Sequence, residues 1–333
     1  MKVFDLHCDT LSELRYAERR GEAKSFATND LHIDLEKLHK GDYMLQCFAA
    51  FVNLSDPTPG ADPLVTALEE VDVFKRIMAK YSDQIAPVYR PEDIRRNAKA
   101  GKISGMLTIE EGGCCKGSLG VLRQMYELGA RMMTLTWNHE NELASPNVVP
   151  GGGGDIWPCK PNTETGLKER GFEFLAEMER LHMIVDVSHL SDRGFWDIAE
   201  HSTRPFAASH SNCRALAPHC RNLTDEMIRV MAEKGGLVGL NYCSGFLDDQ
   251  PRPELCRSTT ALMARHAAHF KQVGGIEIIG LGSDFDGIGG KLEMGDCSKL
   301  PLLADALRKE GFTEDEVEQI FFRNAQRFFE ENL

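Results

Sequence analysis

Eight short apolar runs recur along this chain, and most are separated by segments of helical periodicity. They occupy residues 3–6, 43–52, 103–109, 131–137, 183–187, 205–209, 236–242 and 276–282. Between them, apolar positions step by three or four residues, as in Leu64, Leu68, Val71 and Phe74 or Ile77. Similar segments cover 119–128, 167–181, 191–200, 224–233 and 259–273, with Asp192 and Thr224 as expected helix starts. Two more helices, over 302–310 and 313–329, close the chain. Strands alternating with helices in this number fit a parallel (β/α)8 barrel of the TIM type better than a doubly wound sheet. No GxGxxG fingerprint follows an early run, which also weighs against a dinucleotide fold. The expected organisation is a single barrel over residues 1–333, with a Gly-rich loop at 138–165, containing Gly151–Gly154, lying over the mouth.

Composition narrows the partners. A formal net charge of −13 repels phosphate backbones, so nucleic acid is excluded as a partner, and a nuclease with it. No run is long and apolar enough to span a membrane. The first residues include Asp5 and lack a basic n-region and an apolar h-region, so a cytoplasmic location is expected. Ten cysteines are scattered without a CxxC pair, and free buried thiols are expected rather than disulfides or a cysteine zinc cage.

The chemistry-bearing residues fall where the apolar runs end. His7 and Asp9 follow the first run, and residues i and i+2 of a strand face the same way. Cys8 between them should face the opposite side and pack. The third run ends in Glu110-Glu111-Gly112-Gly113; only one of the two glutamates faces inward, and alternation leaves open which. His189 and His210 end consecutive runs, and Asp284 ends the last. In a barrel the C-terminal strand ends share one mouth, so these residues can converge on a metal cluster. Mixed imidazole and carboxylate sets suit catalytic zinc. Asp286, before Gly287, reads as a turn residue. His32, His39, His182, His201, His266 and His269 sit in helical or loop contexts and are expected to be solvated or structural, while His219 stays unassigned.

The segments Asp5-Leu6-His7-Cys8-Asp9-Thr10, Glu111-Gly112-Gly113, Asp186-Val187-Ser188-His189, Ala208-Ser209-His210-Ser211, Cys220-Arg221-Asn222-Leu223 and Asp284-Phe285-Asp286-Gly287 carry a family resemblance. In this order they are similar to the membrane (renal) dipeptidase family, peptidase family M19, and in particular to its soluble bacterial members. The resemblance implies a binuclear zinc site with two Zn(2+) per chain. One ion would be held by His7 and Asp9, the other by His189 and His210, with Glu111 bridging. It further implies that Asp284 stands beside the metal-bridging water and that Arg221 grips the substrate's terminal carboxylate. Where mammalian members carry a substrate-contacting histidine this chain has Trp137, and His139 is the candidate to take over that contact. Lipid anchoring and the mammalian disulfides are not carried over.

The expected function is that of a zinc metallodipeptidase acting on dipeptides, those with a C-terminal D-residue among the candidates. A related amidohydrolase acting on another amide, ester or lactam is the alternative within the same chemistry. A non-catalytic metal-binding relative is the alternative outside it. Members of the family are often homodimers.

Overall fold

A computed structural model of the chain describes residues 1–58, 61–148 and 159–333. Its nine strands are β1 (Val3–Asp5), β2 (Tyr43–Phe51), β3 (Ile85–Pro87), β4 (Ile103–Glu110), β5 (Ala130–Thr134), β6 (Ile184–Asp186), β7 (Ala207–Ala208), β8 (Leu237–Leu240) and β9 (Ile279–Leu281). Eight of them pair in parallel as β2-β1-β9-β8-β7-β6-β5-β4, and a β2–β4 pairing closes the ring. This is the expected (β/α)8 barrel. The strand that periodicity missed is β3. It pairs with the first residues of β4, Ile103 to Gly105, below the level at which β5 joins at Leu107.

Strand parity divides the core into two layers. Leu45, Cys47, Met106, Met132, Ile184, Ala207 and Leu237 cluster in the lumen. Phe48, Ala50, Leu107, Ile109, Met133, Val185, Ala208 and Val238 belong to a second cluster shared with the surrounding helices. The helix Asn324–Asn332 closes one end of the lumen, where Phe329 stacks on Phe4 at 5.1 Å between centroids. Burying each such aromatic ring contributes roughly 1.5–3 kcal/mol.

The expected helices form with small shifts. Thr224 caps its helix through Met227 N. Ser191, not Asp192, caps the helix Asp192–His201; the Asp192 carboxylate instead holds Arg214 in a bidentate pair at 2.6 and 2.8 Å. The last helix is interrupted by a π-turn at Gln319–Arg323. Four helices lie outside the expected segments, Thr10–Arg19, Leu35–Lys40, Pro91–Lys99 and the single turn Ser244–Leu247, all of them short.

The cysteine expectation needs correcting. Cys159 and Cys220 form a disulfide across 61 positions, because the fold brings two segments without any CxxC relation to a Cα separation of 5.5 Å. The other eight cysteines are free thiols. The centre of the Gly-rich loop, residues 149–158, lies outside the described residues. Among those described, no helix is long and apolar enough to cross a membrane.

Candidate metal centre

Two backbone runs meet at the lip of the barrel. Leu6 N donates to Leu281 O, Asp284 N to His7 O and Asp9 N to Phe285 O, at 2.8, 3.2 and 2.9 Å. The Asp5 carboxylate clamps the pair by accepting from Ser283 N at 2.9 Å and His7 N at 3.3 Å. His7, Asp9 and Asp284 are thereby brought together, with ligand-type atoms within 4.8 Å of one another. On the far side, a Cβ on either Gly239 or Gly282 would lie 1.9 Å from Ser209 O, so the close approach of β7, β8 and β9 that seats His210 depends on both glycines.

Glu110, not Glu111, faces the imidazoles. Met106 points into the lumen, so Thr108 and Glu110 do too, while Leu107 and Ile109 face the helices. Glu110 Oε2 lies 3.3 Å from His7 Nε2. Its Oε1 lies 3.2 Å from His189 Nε2 and 3.6 Å from His210 Nε2. Glu111 leaves the strand at φ +93° and its carboxylate turns back into the protein. It accepts from Gly113 N at 2.7 Å, Trp137 N at 2.8 Å and Asn141 Nδ2 at 2.5 Å. The expectation that Glu111 bridges is therefore replaced. The signal that could have found Glu110 was the parity of Met106, Thr108 and Glu110 against Leu107 and Ile109.

The donor chemistry fits cations. His189 Nδ1 pairs with Asn138 Oδ1 at 2.9 Å, which leaves its Nε2 as a lone pair if Nδ1 carries the proton. Ser209 Oγ donates to Asp186 Oδ2, so it accepts from His210 Nδ1 at 2.7 Å and fixes the same tautomer there. The two bare Nε2 atoms then face each other at 3.1 Å. His7 Nε2 and Asp9 Oδ1 are buried without a hydrogen-bond partner. Burial, then the charge of Glu110, pushes Asp284 up to about 6; burial does the same for Asp9, to about 7, despite His7. Burial pushes the His189 imidazole down to about 4 and that of His210 well below its usual range, so both are neutral, as ligands must be. At His7 burial is outweighed by the charges of Glu110 and Asp9, which hold the imidazole well above its usual range, so this side of the cluster draws positive charge. His7 and Asp9 could hold one ion and His189 and His210 a second, with a Glu110 oxygen turned toward each.

A cavity of about 640 Å³ opens above this cluster, reached by Asp9, Glu110, His189, Asp284 and Arg221. Arg221 is 5% exposed; its Nη2 donates to His210 O at 3.1 Å and its Nε has no partner. Among the described residues no carboxylate lies within 4.0 Å of its guanidinium, although Asp284 and Glu110 act on it from further away. Asn241 Nδ2 holds Asp284 Oδ2 at 2.9 Å. Sequence reasoning missed Asn138, Ser209 and Asn241 as positioning residues, since nothing in their spacing marks them.

His139 does not reach the cluster. β5 ends at Thr134 and the chain bends, so the extension needed to put His139 on the same face as Trp137 is absent. Its ring packs 5.7 Å from that of Trp137, its Nδ1 is 3.4 Å from Ser55 Oγ, and it is not among the residues lining the cavity. Asp286 is occupied elsewhere, accepting from Thr10 Oγ1 at 2.6 Å and His32 N at 2.7 Å.

This geometry coincides with a match of residues 1–332 to the family model described as membrane dipeptidase (peptidase family M19). The chain belongs to the M19 membrane dipeptidase family. It is similar to an uncharacterized dipeptidase of Schizosaccharomyces pombe, 33% identical over 89% of this chain and 71% of that one. An uncharacterized protein encoded 5′ of pqqA in Klebsiella pneumoniae is 32% identical over 81% of this chain and 96% of its own. A metallopeptidase of Rhodobacter sphaeroides, solved with a phosphinate mimic of the dipeptide L-Ala-D-Ala, superposes with a TM-score of 0.87 at 26% identity, covering 100% of this chain and 99% of that one. Membership of M19 implies a metal cofactor, and the cluster around Glu110 is where this chain collects the donors for one.

Proposed function

We propose that this M19 member is a zinc-dependent dipeptidase, in which His7 and Asp9 would hold one metal ion, His189 and His210 a second, and Glu110 would serve both. The observation that carries the reading is the division of the Glu110 carboxylate, with Oε2 toward His7 and Oε1 toward His189 and His210. When bound, a pair of divalent cations lowers the pKa of water toward neutrality and polarises a carbonyl oxygen.

The chain's own groups do the rest. Arg221 offers a buried guanidinium, its Nε without a partner, to the free C-terminal carboxylate of a short peptide, a charge-assisted contact that a longer chain cannot make. Asp284 takes the proton of the attacking water and returns it to the leaving nitrogen. Asn241 holds one of its oxygens, so the carboxylate keeps its aim through the exchange. The L-Ala-D-Ala mimic bound to the Rhodobacter sphaeroides relative supports acceptance of a C-terminal D-residue.

The test is metal-depleted protein given Zn(2+), with release of free amino acids followed for L-L and L-D dipeptides. Turnover that returns with about two equivalents of zinc is the expected result. Full turnover in the presence of a strong chelator, without bound metal, would end the reading.

A further inference from the structure

Two aromatic rings, one on β2 and one just after β5, line the mouth apart from Arg221. Phe51 ends β2 and lies in register with Glu110 on β4; Trp137 follows β5, whose Thr134 is in register with the same Glu110. Arg221 follows β7 and is tied to His210 O. In the ring of eight strands, β2 is four places from β7. β5 is two places from β7, so the metal cluster lies between Phe51 and the guanidinium, with Trp137 on the flank between them.

The wall is held rigidly from behind. Trp137 N donates to the buried carboxylate of Glu111 at 2.8 Å, and Phe51 N donates to the buried carboxylate of Glu70 at 2.7 Å. The rings meet edge to face at 4.9 Å and 77°, and Trp137 lies 6.1 Å from the His189 ring. Both are half-buried and line the cavity, so each keeps an open surface facing it.

Resting on the dipeptidase reading, we infer that Phe51 and Trp137 form the subsite for the side chain of the substrate's N-terminal residue and select dipeptides with a large apolar or aromatic residue there. A dipeptide spans at most ~7 Å. With its carboxylate on Arg221 and its peptide carbonyl at the metal cluster, its N-terminal residue extends toward β2 and β5. Aromatic surface is the one kind that gains from stacking as well as from burial, and fixed rings lose little freedom on contact.

The experiment compares kcat/KM of zinc-loaded protein for Phe-Ala, Leu-Ala and Ala-Ala, and separately for Ala-Phe against Ala-Ala. Phe-Ala should exceed Ala-Ala by about tenfold or more, as expected for filling an apolar pocket. Trp137→Ala and Phe51→Ala should each bring that ratio toward one, whatever happens to the absolute rates, and should move the Ala-Phe to Ala-Ala ratio much less. A wild-type ratio near one, or a ratio unchanged in both variants, overturns the subsite. If neither variant folds, binding of phosphinate dipeptide mimics bearing an N-terminal benzyl or methyl group to the wild-type protein decides it. The benzyl compound should bind about tenfold tighter and change tryptophan fluorescence; equal affinities overturn the subsite. Hydrolysis of dipeptides without this preference would defeat only the subsite, whereas neither hydrolysis nor binding would defeat the dipeptidase reading and the subsite with it.

Discussion

The backbone amide of Trp137 donates to Glu111 Oε2 at 2.8 Å, joining the end of β4 to the loop that follows β5. Through this bond one member of the Glu110-Glu111 pair shapes the mouth while its neighbour faces the imidazoles. Burial pushes the Glu111 carboxyl up to about 7, against the pull of the donors from Trp137 and Gly113. That is the position of a structural acceptor rather than an exposed acid.

Exchanging each glutamate should separate these roles. Glu110→Gln is expected to lose one or both metal ions by elemental analysis and to lower dipeptide kcat/KM by at least about 100-fold, since an inner ligand matters more than the outer-sphere groups whose loss costs 10–100-fold. Glu111→Gln is expected to keep its metal and to unfold more easily, by about 1–3 kcal/mol in urea titration, because a buried acceptor site is replaced by a donor. The reverse pattern would return Glu111 to the centre.

Arg221→Met should act on the substrate's charge. Because the guanidinium is buried with Nε unpartnered, its loss is expected to lower kcat/KM for a free dipeptide by roughly 10–100-fold, the worth of one hydrogen bond to a charged group. The C-terminally amidated analogue, expected to be a poor substrate from the start, should change little. Equal losses on both substrates would show that Arg221 supports the fold alone.

His266 should give the protein a specific acid sensitivity. It is 1% exposed, accepts from Cys213 N at 3.1 Å, and pairs through Nε2 with Leu247 O at 3.0 Å. Burial lowers its pKa to about 4, against the backbone bond to Leu247, which raises it. In the unfolded chain the group titrates near 6.5, so below that pH the unfolded state takes up a proton that the fold refuses. Its contribution is present above about 6.5 and is lost as pH falls toward 4, at up to ~1.4 kcal/mol per pH unit. Unfolding free energies from pH 7.5 to 4.5 should therefore fall less steeply in His266→Gln than in the wild type. Parallel curves would mean that His266 does not titrate differently on folding.

The disulfide should be measurable as stability. Closing 61 positions of chain, the Cys159–Cys220 bond is expected to contribute about 2–4 kcal/mol by restricting the unfolded state. Cys220→Ser should lower Tm under oxidising conditions, and the wild type should lose the same increment when reduced. Alkylation of ten thiols in the unreduced, unfolded protein would exclude the bond.

The sequence by itself determined the barrel and most of its rim. Apolar runs at strand length, alternating with helical periods, leave few ways to bury both sets of faces, and His7, Asp9, His189, His210 and Asp284 follow directly on runs that end at the mouth. Parity along β4 already held the identity of the inward glutamate, since Leu107 and Ile109 are the residues a helix-facing layer wants. Other features were set only by tertiary structure. The Glu111 carboxylate is held by a bond from the amide of Trp137, 26 positions away. The tautomer of His210 depends on Asp186 acting through Ser209, and the Cys159–Cys220 bond on two loops meeting. Local pattern reports which face of an element is apolar. It carries no record of which distant polar groups must be paired once that face is buried, and those pairings decide where each rim side chain points.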